Sequence, residues 1–330
     1  MERFALRCLV MIVASAFACM TAAGQIRFDA RPGAIVIHAN DEPLATYVYK
    51  DDEIFRPYFK DVCAPGGIQV TRRHPPRDGV DPTDHASMHP GLFLAFGDLG
   101  GSDFWRNKAR VEHVEFVRRP CVQVGVGSFA VRNRYIAGGA VVCEELCTYR
   151  FMVRPAGYLI LWDSRFRTAR EGGYFGDQEE MGLGVRVATP IMVKSNKGGR
   201  LLDSEGRRDE KGIWGKQAAW CDYSGPVGDA FAGVTIVPDP GNFRPCWWHV
   251  RNYGFMVANP FGRKALTGGQ PSKIALRADE PFTLRFGILL HAAADENAID
   301  LPVACEDVLD VSKSVRRRER AKANPTTADS

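Results

Sequence analysis

The sequence predicts an all-β fold built as one large antiparallel β-sandwich, and two observations lead to this prediction. Short segments rich in Val, Ile, Phe, Tyr and Thr recur along the chain, separated by clusters of Gly, Pro, Asn and Asp, as in strands joined by turns. Long helical periodicity is nearly absent, and 33 glycines and 20 prolines suit turns and bulges. We expect the sandwich to occupy residues 25–300, followed by a short C-terminal extension at 301–330.

The first 24 residues are predicted to be a secretory signal peptide. Arg3 and Arg7 precede an apolar run, and Ala22-Ala23-Gly24 places small residues before a cleavage site. A lipoprotein signal with Cys19 as the lipidated residue is the alternative. Either signal predicts an exported protein, periplasmic or extracellular. No later run reaches the roughly 18 apolar residues that a transmembrane segment requires.

The expected strands follow in order along the chain. They lie at residues 34–39, 44–49, 92–97, 111–117, 121–133, 140–153, 158–169, 182–190, 232–238, 254–259 and 282–293. Only "DENAIDLPVACEDVLDVSKSV", at 295–315, has a partly helical pattern, and Pro302 interrupts it. The basic run "RRRERAK" that follows predicts a solvated, partly disordered end.

Charge distribution argues against nucleic acid as the main partner. The net charge is +4, but residues 313–330 alone hold six basic and two acidic side chains, so the body of the chain is close to neutral. We therefore expect no nucleic-acid partner. The sequence does not predict an oligomeric state.

No cofactor is expected from the motifs. The segment "GVGSFA" at 125–130 matches a dinucleotide fingerprint in spacing, but Gly138-Gly139 falls where the required helix would run. Seven cysteines follow the signal segment, an odd number whose spacings define no disulfide framework and contain no Cys-x-x-Cys pair for a zinc knuckle.

Two histidines mark the first candidate site, in "DHASMHPGLFLAFGDLGGSDFW" at 84–105. His85 and His89 have the spacing of a zinc-protease helix, but Ala86 replaces the catalytic Glu and Pro90 stops a helix at once. In a loop, the two imidazoles could still meet on a substrate or a metal ion. The carboxylates that could join them are Asp84, Asp98 and Asp103.

Acidic residues gather in "GYFGDQEEMGLGVRVATP", where Asp177, Glu179 and Glu180 precede a predicted strand. A carboxylate at the mouth of a strand is suited to act as a general acid or base, because partial burial adjusts its pKa. Of the three, we select Glu180.

Aromatic and polar residues alternate in "RPCWWHVRNYGFMVANPFG" at 244–262. If the segment is a strand, Trp247, His249 and Arg251 share one face, and Trp248 points to the other. Tryptophan and tyrosine rings stack on the CH faces of sugars, and a histidine titrates near neutrality.

Six stretches together resemble a known family of exported bacterial proteins, labelled the PmoA family. They are "FRPYF" at 55–59, "PGGIQVTRRHPP" at 65–76, the segment 84–105, "GDQEEMGLGVRV" at 176–187, "WCDYSGP" at 220–226 and "WWHVRNYGFMVANPFG" at 247–262. Many relatives read Asp-His-x-His-His-Arg-Gly at 84–91, so a three-histidine site would lack its middle histidine here.

The resemblance implies a β-supersandwich similar to galactose mutarotase, in whose sites a His and a Glu act as acid and base on a pyranose. Methane oxidation, which the family label suggests, is disfavoured because the true methane monooxygenase subunit is an integral membrane protein.

We therefore expect a carbohydrate-active protein that performs acid–base chemistry on a pyranose, by glycosidic bond cleavage or epimerisation. Glu180 is the predicted acid or base, with His249 and one of His85 or His89 as its partner. The predicted substrate-binding residues are Arg56, Asp103, Trp105, Trp248, Arg251, Tyr253, Asn259 and His291. Two alternatives remain: a non-catalytic glycan-binding sandwich, and a His–Asp metal site of unknown role.

Overall fold

A computed structural model describes residues 25–323. The predicted signal peptide, with Cys19, and residues 324–330 lie outside the described part of the chain. The predicted all-β class is confirmed: two eight-stranded antiparallel sheets form the sandwich.

Twenty strands, three helices and three short 3-10 turns make up the described chain. The strands are β1 Ile26–Arg31, β2 Ala34–Ala39, β3 Glu42–Val48, β4 Tyr58–Lys60, β5 Cys63–Ala64, β6 Ile68–Gln69, β7 Leu92–Phe96, β8 Arg110–Gln123, β9 Val126–Ala137, β10 Ala140–Arg154, β11 Gly157–Thr168, β12 Tyr174–Phe175, β13 Met181–Arg186, β14 Arg200–Asp203, β15 Cys221–Val227, β16 Ala230–Pro238, β17 Trp247–Arg251, β18 Phe255–Asn259, β19 Ile274–Ala275 and β20 Phe282–Ala293. The helices are α1 Asp209–Ile213, α2 Arg263–Thr267 and α3 Leu301–Ala323, and the 3-10 turns are Pro65–Gly67, Thr189–Ile191 and Val193–Ser195.

The two sheets bury their facing sides in one hydrophobic core. The first sheet has the order β1-β2-β3-β4-β7-β13-β18-β17, and the second has the order β14-β15-β16-β20-β11-β10-β9-β8. Alternation along β7 sends Leu92, Leu94 and Phe96 into this core. Its other residues, Phe93 and Ala95, belong to a separate cluster on the outer face of the first sheet.

The outer face of the first sheet is covered by two segments, the chain between β6 and β7 and the chain between β7 and β8. Trp105 packs there against Phe93, with ring centroids 5.1 Å apart. Gly184 on β13 makes room for this contact, because an added Cβ would lie 3.1 Å from Phe93 and 3.3 Å from Trp105. The result is a tightly packed platform below the residues of the candidate site.

The outer face of the second sheet is covered by α3, where a partly disordered basic end was expected. Pro302 lies in the first turn, where its missing N–H costs little. Val308 packs so closely on β20 that a Cβ at Gly287 would lie 2.2 Å from it. Arg154 donates to Asp307 at 2.8 Å, and Arg316 pairs with Asp239. The helix therefore extends through residue 323 because the sheet and its ion pairs hold it.

Two further features of the described chain are its helices, judged by length and polarity, and its cysteines. Among residues 25–323, no helix is both long and apolar enough to span a membrane. The seven cysteines in this range are free thiols, and all except Cys121 are buried.

Candidate functional site

The candidate site lies on the outer face of the first sheet, at the edge formed by β17 and β18. β17 is a strand, the condition under which the sequence places His249 and Arg251 on one face, and these two residues lie on one side of it while Trp248 lies in the core. His249 contacts Phe255 of β18 edge to face, with ring centroids 5.4 Å apart. The segment that precedes β13 brings Glu179 against this edge.

Glu179 and His249 form the central pair. The Oε2 atom of Glu179 lies 3.8 Å from the Nε2 atom of His249 and 3.3 Å from a guanidinium nitrogen of Arg251. The His249 side chain is only 4% exposed, whereas that of Glu179 is 36% exposed. A ligand would therefore approach the pair from the side of the carboxylate.

The backbone of Glu179 fixes the hydrogen-bonding state of His249. Nδ1 of His249 lies 3.1 Å from the Glu179 carbonyl oxygen, and because a carbonyl only accepts, Nδ1 carries the proton. Burial, with the charge of Arg251, lowers the pKa of His249 to about 4. The ring is thus neutral at neutral pH, and its Nε2 is a proton acceptor facing the Glu179 carboxyl group.

The pKa of the Glu179 carboxyl group is shifted in the opposite direction, above its usual value. Burial raises its pKa more than the charge of Arg251 lowers it, and the nearby charge of Glu180 raises it further. Two acceptors separated by 3.8 Å make no hydrogen bond with each other when Glu179 is ionised. A sugar hydroxyl placed between them satisfies both when Glu179 is protonated, because it then accepts from Glu179 and donates to Nε2 of His249.

Glu180, the predicted acid or base, has a different partner. Its carboxylate binds Arg106 at 2.5 Å, and Asp103 holds the other side of the same guanidinium at 3.1 Å. Asp103 also accepts the backbone N–H groups of Trp105 and Arg106, each at 3.0 Å. The structure therefore places Glu179, not Glu180, beside His249, and Asp103 orients Arg106.

Arg251 connects the central pair to helix α1. One guanidinium nitrogen reaches Glu210 at 3.3 Å, and the guanidinium carbon lies 5.5 Å from the centre of the Trp214 ring. Sequence reasoning missed Glu210, Trp214 and Arg106. None of them lies within a stretch that carried a sugar-site pattern, and only the tertiary fold brings them to Arg251 and Glu180.

The predicted histidine loop forms the rim of the site. Buried Arg186 binds Asp84 through two bonds of 3.0 and 2.9 Å, and Asp84 lies 3.0 Å from Nδ1 of His85. The guanidinium of Arg186 also lies 4.6 Å from the centre of the Tyr253 ring. His85 stacks near that ring, with centroids 6.3 Å apart. The side chains of His85 and Tyr253 therefore lie next to each other at the exposed edge of the site.

His89 lies deeper than a ligand-binding residue would. Its ring stacks on Phe255 at 4.0 Å and on Phe93 at 5.9 Å, and the residue is 4% exposed. Burial, followed by the charge of Arg186, holds its pKa well below the usual range for histidine. His89 is thus a neutral part of the platform, and its predicted catalytic role is not supported by its position.

Arg56 supports the loop rather than a sugar. Its guanidinium donates to the carbonyls of Trp105, at 2.9 Å, and of Met88, and it is 3% exposed. Arg72 acts similarly, donating to the carbonyls of Asp84 at 2.7 Å and His89 at 3.1 Å. Two buried arginines therefore hold the loop that carries both histidines.

Four other predicted substrate-binding residues are buried and need correction. Trp105 and Trp248 are each 0% exposed, so neither ring has a face for a sugar. Asn259 uses its side chain to hold the backbone, donating to the carbonyls of Gln178 and Glu179 at 2.8 and 2.9 Å. His291 lies on the second sheet, paired with Asp222 at 2.7 Å, and does not enter this site.

The described part of the chain contains no arrangement of side chains that suits the metal-site alternative. Within residues 25–323, no three His, Cys, Asp or Glu side chains converge as a metal-binding group. Asp84 is engaged by Arg186, and Asp98 accepts the N–H of Gly101 at 3.0 Å. The loop's polar groups are therefore used to shape the loop.

Comparisons with known proteins identify a family. A family model described as "Family of unknown function (DUF6807)" matches residues 34–300. None of the curated protein sequences gives a significant match. The resemblance to the PmoA family, drawn from the motifs, stays a prediction.

Several solved structures match most of this chain at low sequence identity. One is the galactosidase domain of an α-galactosidase–sucrose kinase, with 10% identity and a TM-score of 0.39, covering 81% of this chain and 42% of the other. A putative kojibiose phosphorylase from the human microbiome has 8% identity and a TM-score of 0.38, covering 89% and 37%. A GalM/aldose epimerase homologue from C. elegans has 9% identity and a TM-score of 0.34, covering 82% and 99%. The chain thus spans about two fifths of the length of the first two.

Proposed function

We propose that this chain, which belongs to the DUF6807 family of unknown function, is a carbohydrate-active enzyme in which Glu179 and His249 act as acid and base on a pyranose. The observation that carries the proposal is the 3.8 Å separation between the Glu179 carboxyl oxygen and the His249 Nε2 atom. Export of the protein is also proposed, and it rests on the sequence of the first 24 residues.

The separation of the pair favours epimerisation over hydrolysis. Glycosidases that retain or invert configuration place their two catalytic carboxyl groups about 5–5.5 or 6.5–9.5 Å apart, on either side of the glycosidic bond. The 3.8 Å separation between Glu179 and His249 is shorter than either of these carboxyl–carboxyl separations. It suits two oxygen atoms bonded to one carbon, as are the hydroxyl and the ring oxygen at the anomeric centre of a free sugar.

The proposed proton movements agree in direction with the raised pKa of Glu179 and the lowered pKa of His249. Protonated Glu179 donates its proton to the ring oxygen as the bond between that oxygen and the anomeric carbon breaks. Neutral His249 accepts the proton of the anomeric hydroxyl at Nε2, and the hydroxyl oxygen becomes the aldehyde oxygen. Rotation about the adjacent carbon–carbon bond and reversal of both transfers closes the ring with the other configuration. Atoms and charge balance, and both residues return to their starting states.

Two arginines beside the pair would bind the substrate oxygens. Arg251 lies 3.3 Å from Glu179, and Arg106 lies 2.5 Å from Glu180, so both guanidinium groups are held at the edge of the site. Their donors favour developing negative charge on the sugar oxygens during ring opening. The rings of Tyr253 and Trp214 supply the apolar surface that the CH face of a pyranose requires.

A proton-NMR time course with the full-length protein tests the proposal. Freshly dissolved α-anomers of glucose, galactose, xylose and mannose are followed as they equilibrate, at a pH where the uncatalysed reaction is slow. The proposal predicts that at least one sugar equilibrates faster in proportion to enzyme concentration. A parallel time course with neutral oligosaccharides covers the alternative: new reducing-end signals there, with no effect on any monosaccharide, would instead indicate hydrolysis.

A glycan-binding module is the second candidate. It is favoured by the ion pairs of the site, because Arg106, Arg251, Glu180 and Glu210 are all engaged with a partner of opposite charge. Such a site would bind a sugar without turning it over. Saturation-transfer signals from a sugar that shows no accelerated equilibration and no product would select this candidate.

A further inference from the structure

We infer that the chain has a second saccharide-binding site, a cavity of about 340 Å³ between the end of β3 and the start of β8, which takes one neutral sugar unit. Tyr49 and Lys50 follow β3, Arg110 and His113 belong to β8, and the loop of residues 51–56 closes the remaining side. This volume lies within the range of small-molecule sites, about 300–1,000 Å³. The inference does not depend on the proposed function.

The walls of the cavity are built by ordered contacts. Asp51 accepts the backbone N–H groups of Glu53 and Ile54 at 2.8 and 3.0 Å and the Tyr58 hydroxyl at 2.7 Å. The carbonyl of Phe55 accepts the N–H of Val111 at the start of β8. The loop is therefore tied to both sheets, so the cavity is preformed.

Aromatic rings give the cavity its apolar surface. The ring of Tyr49 lies 4.6 Å from that of His113, and the guanidinium of Arg110 lies 5.4 Å from the centre of the Phe55 ring. Phe55 and Tyr49 are both partly exposed. Rings that line a cavity in this way suit the CH face of a pyranose.

Charge selects a neutral ligand. Two exposed cations, Lys50 and Arg110, and two exposed anions, Asp52 and Glu112, line the cavity. Burial lowers the pKa of His113, so its imidazole adds no charge at neutral pH. The lining charges balance, and both hydrogen-bond donors and acceptors are present, as a polyhydroxylated neutral ring requires. An acidic sugar would meet two carboxylates.

The cavity is distinct from the Glu179–His249 site but shares a structural residue with it. Arg56 lines the cavity and donates to the carbonyls of Met88 and Trp105. Trp105 in turn contacts His89 edge to face, with centroids 6.0 Å apart. Arg56 therefore lies between the cavity and the platform below the first site, to which Trp105 belongs.

Binding of maltotriose, cellotriose and galactobiose to the full-length protein, measured one at a time by calorimetry, tests the inference. We expect Phe55→Ala and Arg110→Ala to weaken the binding of at least one of them by about ten-fold, through loss of ring stacking and of a donor. Val117→Ala, an exposed residue of the same strand outside the cavity, is the matched control and should bind as the unaltered protein does. If Phe55→Ala fails to fold, Asp52→Asn, a change at an exposed residue of the cavity, replaces it as the test variant and should also weaken binding.

Three outcomes would overturn the inference: no neutral saccharide binds, only trigalacturonate binds, or binding is lost in Arg251→Ala and unaffected in the Phe55 and Arg110 variants. The two proposals fail separately. Phe55-dependent binding without turnover of any sugar would contradict the proposed function alone. Turnover with no cavity-dependent binding would contradict the second site alone.

Discussion

The imidazole of His249 contacts Glu179 twice: its Nδ1 lies 3.1 Å from the backbone carbonyl oxygen, and its Nε2 lies 3.8 Å from the carboxylate. The first contact fixes the tautomer, and the second leaves two acceptors facing the same point. Asn259 holds the same carbonyl at 2.9 Å. The backbone of Glu179 is therefore fixed, while its carboxyl group remains open to a ligand.

The pH dependence of turnover should be bell-shaped, with His249 setting the acidic limb and Glu179 setting the other limb. The reactive form has neutral His249, whose pKa is about 4, and protonated Glu179, whose pKa is raised above its usual value. The rate therefore rises as pH increases through about 4 and falls as Glu179 loses its proton. Measurement of kcat/KM from pH 3 to about 9 gives the profile. A single rise near pH 6.5, the pKa of an unshifted imidazole, would contradict the assignment.

Asp84→Asn should destabilise the histidine loop. Burial raises the pKa of Asp84, but hydrogen bonds from Arg186 and His85 and the charge of Arg186 outweigh this and lower it overall. The substitution leaves a fully buried guanidinium with weaker partners. Because the Asp84 side chain is 42% exposed, we expect a loss of only about 1–3 kcal/mol in the free energy of unfolding.

Urea unfolding measures this change as a lower midpoint with an unchanged slope. The sign of the pH effect is also fixed. With its folded-state pKa lowered, Asp84 contributes stability above its unfolded pKa, and that stability is lost as pH falls through the lower, folded value. The Asn variant should therefore lose less stability on acidification than the unaltered protein. Equal losses in both would show that Asp84 makes no such contribution.

Gly182→Ala should prevent stable folding, whereas Gly228→Ala should be tolerated. Both glycines have positive φ, +116° and +61°. A Cβ at Gly182 would lie 2.1 Å from the carbonyl oxygen of Ala258 on the neighbouring strand, whereas a Cβ at Gly228 meets nothing within 4 Å. Gly228→Ala should cost only about 1–2 kcal/mol, from backbone strain alone. Similar thermal midpoints for the two variants would contradict this account of β13.

Sequence reasoning found the sandwich because strand patterns are local. The strand predicted at 34–39 has the same bounds as β2. The alternation along β17 placed His249 and Arg251 on one face. The segment at 121–133 was expected as one strand, but a turn at Val124 and Gly125 divides it into the end of β8 and the start of β9. A two-residue turn hardly changes the amino-acid composition of a Val-rich run, so composition does not reveal it.

The site was found only in part, because burial is a tertiary property. Trp105 and Trp248 look like sugar-stacking residues in the sequence, yet both fill the interior. Glu179 and Glu180 are adjacent and chemically alike, and only their partners, His249 and Arg106, separate their roles. A partly helical pattern was expected at 295–315 and a partly disordered end after it, but helix α3 continues through residue 323, and its apolar side covers a sheet face that the sequence does not reveal.

Replacement of Glu179 and of Glu180 by glutamine, compared in the same anomer-equilibration assay, tests the central claim most directly. Removal of a general acid lowers turnover by about 10²–10⁴-fold, and this is the loss expected for Glu179→Gln with thermal stability retained. Glu180→Gln is the matched control and should act mainly on KM, by less than about ten-fold, because that carboxylate holds Arg106. Full activity in Glu179→Gln, or an abolished turnover in Glu180→Gln alone, would contradict the assignment of the Glu179–His249 pair.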